Sequence, residues 1–287
     1  MIEPLREKPI KKREFGFIKE IVVYLVLMGF ACLTLLPLAW LFFSSFKTTT
    51  EFHLNKLGLP INWTTINYPM AWRIGNFTVL FMNSIFYTFI TIGAVIIFSL
   101  AASFAFAKIR SRATPLLHGS FVIGLMLTIQ SLMVPLFLMA HWVGLYDTRL
   151  GVLTPYIGLG LPLGIYLCTE FIKGIPDALI ESARIDGASY LGIFTRIIVP
   201  MAKPVVTTLS ILSFAGVWNE FMLINILVSR ESLKSLPVGM MKFSGALASD
   251  YGKQFAALVI GLIPMVVFYL FFHKKITQGV FAGAVKG

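Results

Sequence analysis

Six apolar runs, each of about 20 residues or more, limit what this chain can fold into more than any other feature. They cover roughly 21–46, 79–106, 116–139, 150–170, 204–228 and 254–272. A helix rising 1.5 Å per residue needs ~20 residues to cross a hydrocarbon core ~30 Å thick. In lipid every backbone N–H and C=O must find an internal partner, which leaves helices or a closed barrel. The two-residue alternation of barrel strands is missing. The expected fold is therefore all-α: a polytopic membrane protein with six transmembrane helices. Only 13% of the 287 residues are charged and 57% are hydrophobic, against about 25% charged in soluble domains. One membrane domain over 21–287, preceded by a cytoplasmic N-terminal segment 1–20, accounts for the chain. The first run is too long for a signal-peptide core of ~7–15 residues and reads as an uncleaved span. Pro37, Pro135, Pro155, Pro162 and Pro264 fall inside runs, where they are tolerated and bend helices.

The net charge of +11 is explained by topology. With the N-terminus inside, inner segments hold Arg6, Lys8, Lys11, Lys12, Arg13, Lys19, Lys108, Arg110, Arg112, Lys173, Arg184, Arg196, Lys203, Lys274, Lys275 and Lys286. That is 16 of the 24 Lys and Arg, a bias that places both termini in the cytoplasm. The segment 171–203 and the tail 273–287 then lie inside, and 47–78 and 229–253 outside. Trp63, Tyr68 and Trp72 in the first outer loop suit an interfacial anchor or an outside partner. Basic residues beside span ends form no nucleic-acid platform, so no nucleic-acid partner is expected. Cys32 and Cys168 sit in apolar runs without CxxC spacing. His53, His118, His141 and His273 have no metal-ligand spacing, so no metal site is expected.

The inner segment 171–203 is polar and long. Pro176-Asp177 starts a helix, and Asp177 or Glu181 near its N-terminus suits the dipole. About two turns follow over 177–185. Gly187 breaks the helix because glycine takes positive φ without strain. Tyr190, Ile193, Phe194, Ile197 and Met201 then recur at three- and four-residue spacing and predict one apolar face. Pro200 and Pro204 lead into the fifth span. Composition alone leaves two readings open: an interfacial helix on lipid, or a handle for another protein.

Glu181-Ser182-Ala183, three residues, Gly187, nine residues, then Ile197-x-Val199-Pro200 resembles the EAA loop of ABC importer permeases, whose pattern is E-A-A, three residues, G, nine residues, I-x-L-P. The departures are Ser182 for Ala and Val199 for Leu. Further likenesses to the carbohydrate-importer branch are Ser45-Phe46-Lys47, Asn83-Ser84, Trp218-Asn219-Glu220, Leu236-Pro237-Val238-Gly239 and the ending from Gly279 to Gly287. The chain is similar to the smaller, maltose-type, MalG-like permease of that branch.

The resemblance implies a permease subunit of a binding-protein-dependent importer in a bacterial cell membrane. It forms half of a pathway for a carbohydrate, an oligosaccharide or sugar derivative. Implied partners are a second permease, two ABC ATPase subunits and an extracytoplasmic solute-binding protein. The chain has no GxxxxGK[ST] loop, so ATP and Mg belong to the ATPases, and the chain is not itself an enzyme. Glu181, Ser182, Ala183, Asp186, Gly187, Ile197 and Pro200 would carry ATPase coupling, with Glu181 and Asp186 making charge-assisted bonds. The 229–253 loop would meet the binding protein.

Straight-helix arithmetic puts Gln130 and Glu220 at similar depth, ~21–22 Å above the inner edge, with Asn83 in the outer half. Asn83, Gln130, Asn219 and Glu220 are candidate pathway residues, or polar links between helices. A permease for a non-sugar importer branch is the alternative. A secondary transporter would want an ion-coupling site or inverted repeats, and neither is evident.

Overall fold

The computed structural model describes residues 14–109, 111–241, 243 and 250–284, and the side chains of those between 19 and 273. The basic residues of segment 1–13, Arg110, and positions 242 and 244–249 of the expected outer loop 229–253 lie outside the described residues. So do the side chains of Lys274, Lys275 and the glycine-rich ending, and the whole of 285–287.

Helices account for the described chain. They are α1 (Glu14–Ser44), α2 (Thr49–Leu54), α3 (Asn67–Ile74), α4 (Phe77–Lys108), α5 (Thr114–Gly124), α6 (Ile129–Trp142), α7 (Arg149–Lys173), α8 (Asp177–Ile185), α9 (Tyr190–Ile193), α10 (Val199–Met201), α11 (Lys203–Trp218), α12 (Met222–Leu227), α13 (Leu236–Met241) and α14 (Tyr251–Ala284). Four are long and apolar enough to cross a membrane unbroken: α1 from Lys19, α4, α7, and α14 to His273. The count reaches six when each bent pair is taken as one span.

The bent pairs are α5 with α6 and the segment Tyr190–Met201 with α11, the latter bent by 71°; two of the expected runs also need new boundaries. The run 116–139 is not one helix, because α5 and α6 meet at 104°. Thr128 is extended there, at φ −85° and ψ 145°, and restarts the chain in a new direction. The run 204–228 also breaks. α11 ends at Trp218, Phe221 leaves helical geometry at φ −135°, and α12 begins afresh. Leu223, Ile224 and Leu227 of α12 pack inward with Tyr87, Val152 and Tyr156. An apolar run therefore covers a span plus a buried helical turn, which hydropathy cannot separate.

The helices α4 and α7 form the central pair. Their backbones approach closely: a Cβ on Gly164 would lie 2.2 Å from Ser99 Oγ. Small residues of this kind admit the dense contact that drives association in lipid, where burial of apolar surface gains little. Ser103 Oγ adds a bond to the Ile165 carbonyl at 3.0 Å. By contrast, no part of α1's most apolar window is buried within the chain. Among its described side chains, those near its C-terminal end are tied down, where Trp40 packs on Phe52 and Phe255.

Beyond the C-terminal end of α1, the short sequence signatures turn out to be polar clasps. Ser45 Oγ and Tyr68 Oη are 2.6 Å apart. Asn67 Nδ2 donates to the carbonyls of Ser45 and Lys47, each at 2.8 Å. Lys47, fully buried, sends its ammonium to the carbonyls of Asn55 (2.7 Å) and Gly58 (2.6 Å). Glu51 accepts from the Ile61 amide at 2.5 Å. A buried ammonium and carboxylate thus satisfy the backbone of one loop, as burial of charge requires.

Candidate functional site

The segment 171–203 folds from its own sequence. Asp177 opens α8, and Gly187 closes it at φ +81°. The Ala188 amide bonds the Ala183 carbonyl at 2.9 Å and the Gly187 amide bonds Arg184 at 3.0 Å. This is a Schellman ending, which needs a left-handed residue at the glycine position. A Cβ there would meet nothing within 4 Å, so backbone conformation alone selects glycine. Ser182 Oγ returns to the Ala178 carbonyl of its own helix, which lets serine replace alanine without an unsatisfied group.

One side of α8 is anchored and the other is bare. Ile180 is buried, and Ala183 packs against the cluster of Phe104, Ile172, Ile175, Ile193 and Ile198. Glu181, Ser182, Arg184, Ile185, Asp186 and Gly187 are exposed, Ile185 at 86%. Arg184 lies over the Tyr190 ring, 5.1 Å from its centroid.

The helix after the turn corrects a predicted face. Phe194–Ile198 is a π-helical turn between α9 and α10. The extra residue moves the buried stripe to Ile193, Ile198, Ala202, Val205 and Leu209. Ile197 is half-buried, and Tyr190, Met201 and Pro200 are exposed. The regular spacing counted from Ile193 predicts Ile197 and Met201, one residue short, because a π turn advances by five.

The four intramembrane polar residues do not form one group. Asn83 is buried, and its Nδ2 donates to the carbonyls of Ser232 (2.7 Å) and Lys234 (3.0 Å). Ser84 Oγ accepts from the Leu236 amide at 2.8 Å, and Tyr87 Oη donates to Leu233 at 2.9 Å. One face of α4 thereby grips the segment 232–236. Asn219 donates to the Ala215 carbonyl at 2.9 Å. The carboxylate of Glu220 accepts from the amides of Leu223 (2.6 Å) and Ile224 (3.3 Å), opening α12, while Tyr156 Oη donates to it. A negative group at those amides is favoured by their partial positive charge. Gln130 is exposed at the head of α6. Its straight-helix depth does not hold, because the 104° bend lies between it and Leu116.

Glu220, Tyr156, Thr91 and Ser213 line a cavity of about 240 Å³, with Val95, Ile129, Leu163 and Leu212 as apolar walls. It opens between α4, α7 and α11 and is mainly apolar, with a few convergent polar groups.

Sequence reasoning missed three residues. Lys108 is nearly buried and bonds the root of α8; it was counted only as a topological charge. Tyr156 gave no signal, being one aromatic in an apolar run. Asp147, at φ +57°, accepts from the Ser229 and Arg230 amides at 3.0 Å each and from Arg230 Nε at 2.7 Å. The Arg230 amide leads in holding its carboxyl below the ordinary range, against the opposing effect of burial. The Arg230 guanidinium and the Ser229 amide add to the lowering.

The pattern of the family described as binding-protein-dependent transport system inner membrane component matches residues 97–281. The probable ABC transporter permease protein YurM of Bacillus subtilis is 32% identical, over 100% of this chain and 96% of that protein. The multiple sugar-binding transport system permease MsmG of Streptococcus mutans is 33% identical, over 92% and 96%. A crystal structure of a bacterial ABC transporter involved in import of the acidic polysaccharide alginate contains a chain of the same architecture. It superposes with a TM-score of 0.82 at 25% identity, covering 93% of this chain and 99% of that one.

Proposed function

The chain belongs to the family of binding-protein-dependent transport system inner membrane components, and from that premise we propose that it is the permease subunit of a carbohydrate-importing ABC transporter. Relatives named for sugar transport favour a saccharide over a non-sugar substrate. In this reading the chain supplies half of the pathway beside a second permease. Two ATPase subunits that hold ATP and Mg dock on its inner loop, and an extracytoplasmic solute-binding protein delivers the sugar. Both termini face the cytoplasm.

The observation that carries the reading is α8: a short helix rooted by Ile180, ended by a Schellman glycine, with Glu181, Ile185 and Asp186 held outward. Seated in an ATPase cleft, Ile185 would lose water contact and the two carboxylates would find cationic partners. ATP-driven closure of the ATPases would then displace α8 and, through it, the spans. On the far side, Asn83, Ser84 and Tyr87 fix the segment 232–236, giving the binding protein a rigid contact.

Co-purification tests this. The chain, co-expressed with its neighbouring permease and ATPase genes, should retain the ATPase, and Ile185→Asp should lose it while still inserting in the membrane. Retention of no ATPase by the wild-type chain would refute the assignment.

A further inference from the structure

The last residue of α4, Lys108, is a long cationic side chain that is only 4% exposed. Its ammonium donates to the Ile175 carbonyl at 2.6 Å and to Asp177 Oδ1 at 2.6 Å. Ile175 lies in the bend between α7 and α8, and Asp177 is the first residue of α8. Pro176, between them, has no N–H, and no side chain caps this end of α8. The lysine therefore ties α4 to both sides of the α7–α8 bend. A positive group at the C-terminus of α4 also suits the dipole of that helix.

Two features separate this tie from an ordinary surface ion pair. The ammonium is buried although its Asp177 partner is 68% exposed, so its bond to the Ile175 carbonyl is strengthened by desolvation while the Asp177 pair is partly screened. The same place carries an apolar contact, since Phe104 of α4 packs in one cluster with Ile175 and Ile180. The root of α8 is thus joined to α4 by an ionic and an apolar link within one turn of helix.

We propose that Lys108 is a positioning residue for coupling: it locks the root of the docking helix to α4, so that displacement of α8 moves α4 and α7 as one body. The inference rests on the reading of α8 as the ATPase-docking element. Without the ammonium, α8 pivots at Pro176 and the displacement is absorbed in the bend. The ATPase still binds, because the exposed residues of α8 are untouched.

The test uses the complete complex of this chain with its partner permease, ATPases and binding protein in lipid. Leu163, on α7 and lining the cavity, is replaced by Cys in a Cys32→Ser background, and its maleimide labelling rate is read with and without ATP and vanadate. The wild-type lysine should give an ATP-dependent change in rate. Lys108→Met removes both bonds of the ammonium and should retain the ATPase and its hydrolysis yet shrink that change by about tenfold or more. Lys108→Arg should restore most of it. An unchanged response in Lys108→Met overturns the proposal. Should that variant fail to assemble, Lys108→Gln, a shorter neutral donor, decides: a reduced response supports the tie, and a wild-type response overturns it. A wild-type complex that retains no ATPase would instead overturn the reading of α8.

Discussion

Replacing Gly187 separates a backbone requirement from a packing one. The glycine sits at φ +81° and an added Cβ would touch nothing within 4 Å, so the cost in this chain is conformational. An ordinary L-residue in the left-handed region costs about 1–2 kcal/mol, and asparagine less. The Schellman bonds at stake are Ala188 to Ala183 (2.9 Å) and Gly187 to Arg184 (3.0 Å). Opening them by ~1–2 kcal/mol changes the population of the closed turn about 5- to 30-fold. Hydrogen exchange at the Ala188 amide reads that population directly. The expected order of rates is Gly, then Asn, then Ala, then Val, because branching at Cβ adds strain at positive φ. If docking requires the formed turn, ATPase affinity should fall in the same order. The reasoning fails if Ala exchanges like Gly. It also fails if Asn and Ala bind ATPase normally and only bulky residues do not, since the glycine would then serve clearance from the partner.

Two further outcomes follow from the bonding of Glu220 and Asp147. Glu220→Ala strips the acceptor from two amides and the Tyr156 hydroxyl and should lower thermal stability by about 1–3 kcal/mol. Glu220→Gln should recover most of it; equal stability of Ala and wild type, with altered sugar uptake, would show a pathway role instead. Asp147 has a folded pKa below its ordinary value of 3.8, so its contribution is complete above that value and is lost as pH falls through the folded pKa. The wild type should therefore lose no thermal stability from this group between about pH 7 and 5, and trypsin at neutral pH should cleave at Arg230 faster in Asp147→Asn than in wild type; equal rates would dismiss the clasp.

Hydropathy determined by itself that this chain is a bundle of membrane helices, since backbone groups in lipid permit little else. Local chemistry likewise determined α8 and its end, because Pro176, Asp177 and Gly187 act within one turn of themselves. What the sequence could not decide was continuity. The breaks at 125–128 and 219–221 lie inside apolar runs, and whether such a run crosses lipid or packs inward depends on what faces it. The regular spacing after Tyr190 misplaces the buried stripe by one residue for a similar reason: the π turn at Phe194–Ile198 carries no mark in the apolar spacing and shows only once Ile198 packs with Phe104 of α4 and Ile172 of α7. Asn83 and Glu220 stood out in the sequence as costly polar groups; Glu220 finds two amides three and four residues on, but Ser232, a partner of Asn83, and Tyr156, the third partner of Glu220, are far along the chain. Lys108 looked like one more positive charge at a span end. Only the tertiary fold, by bringing the Ile175 carbonyl and Asp177 within 2.6 Å of its ammonium, gave that charge a partner, because a long-range contact is set by how helices pack and not by the residues beside it.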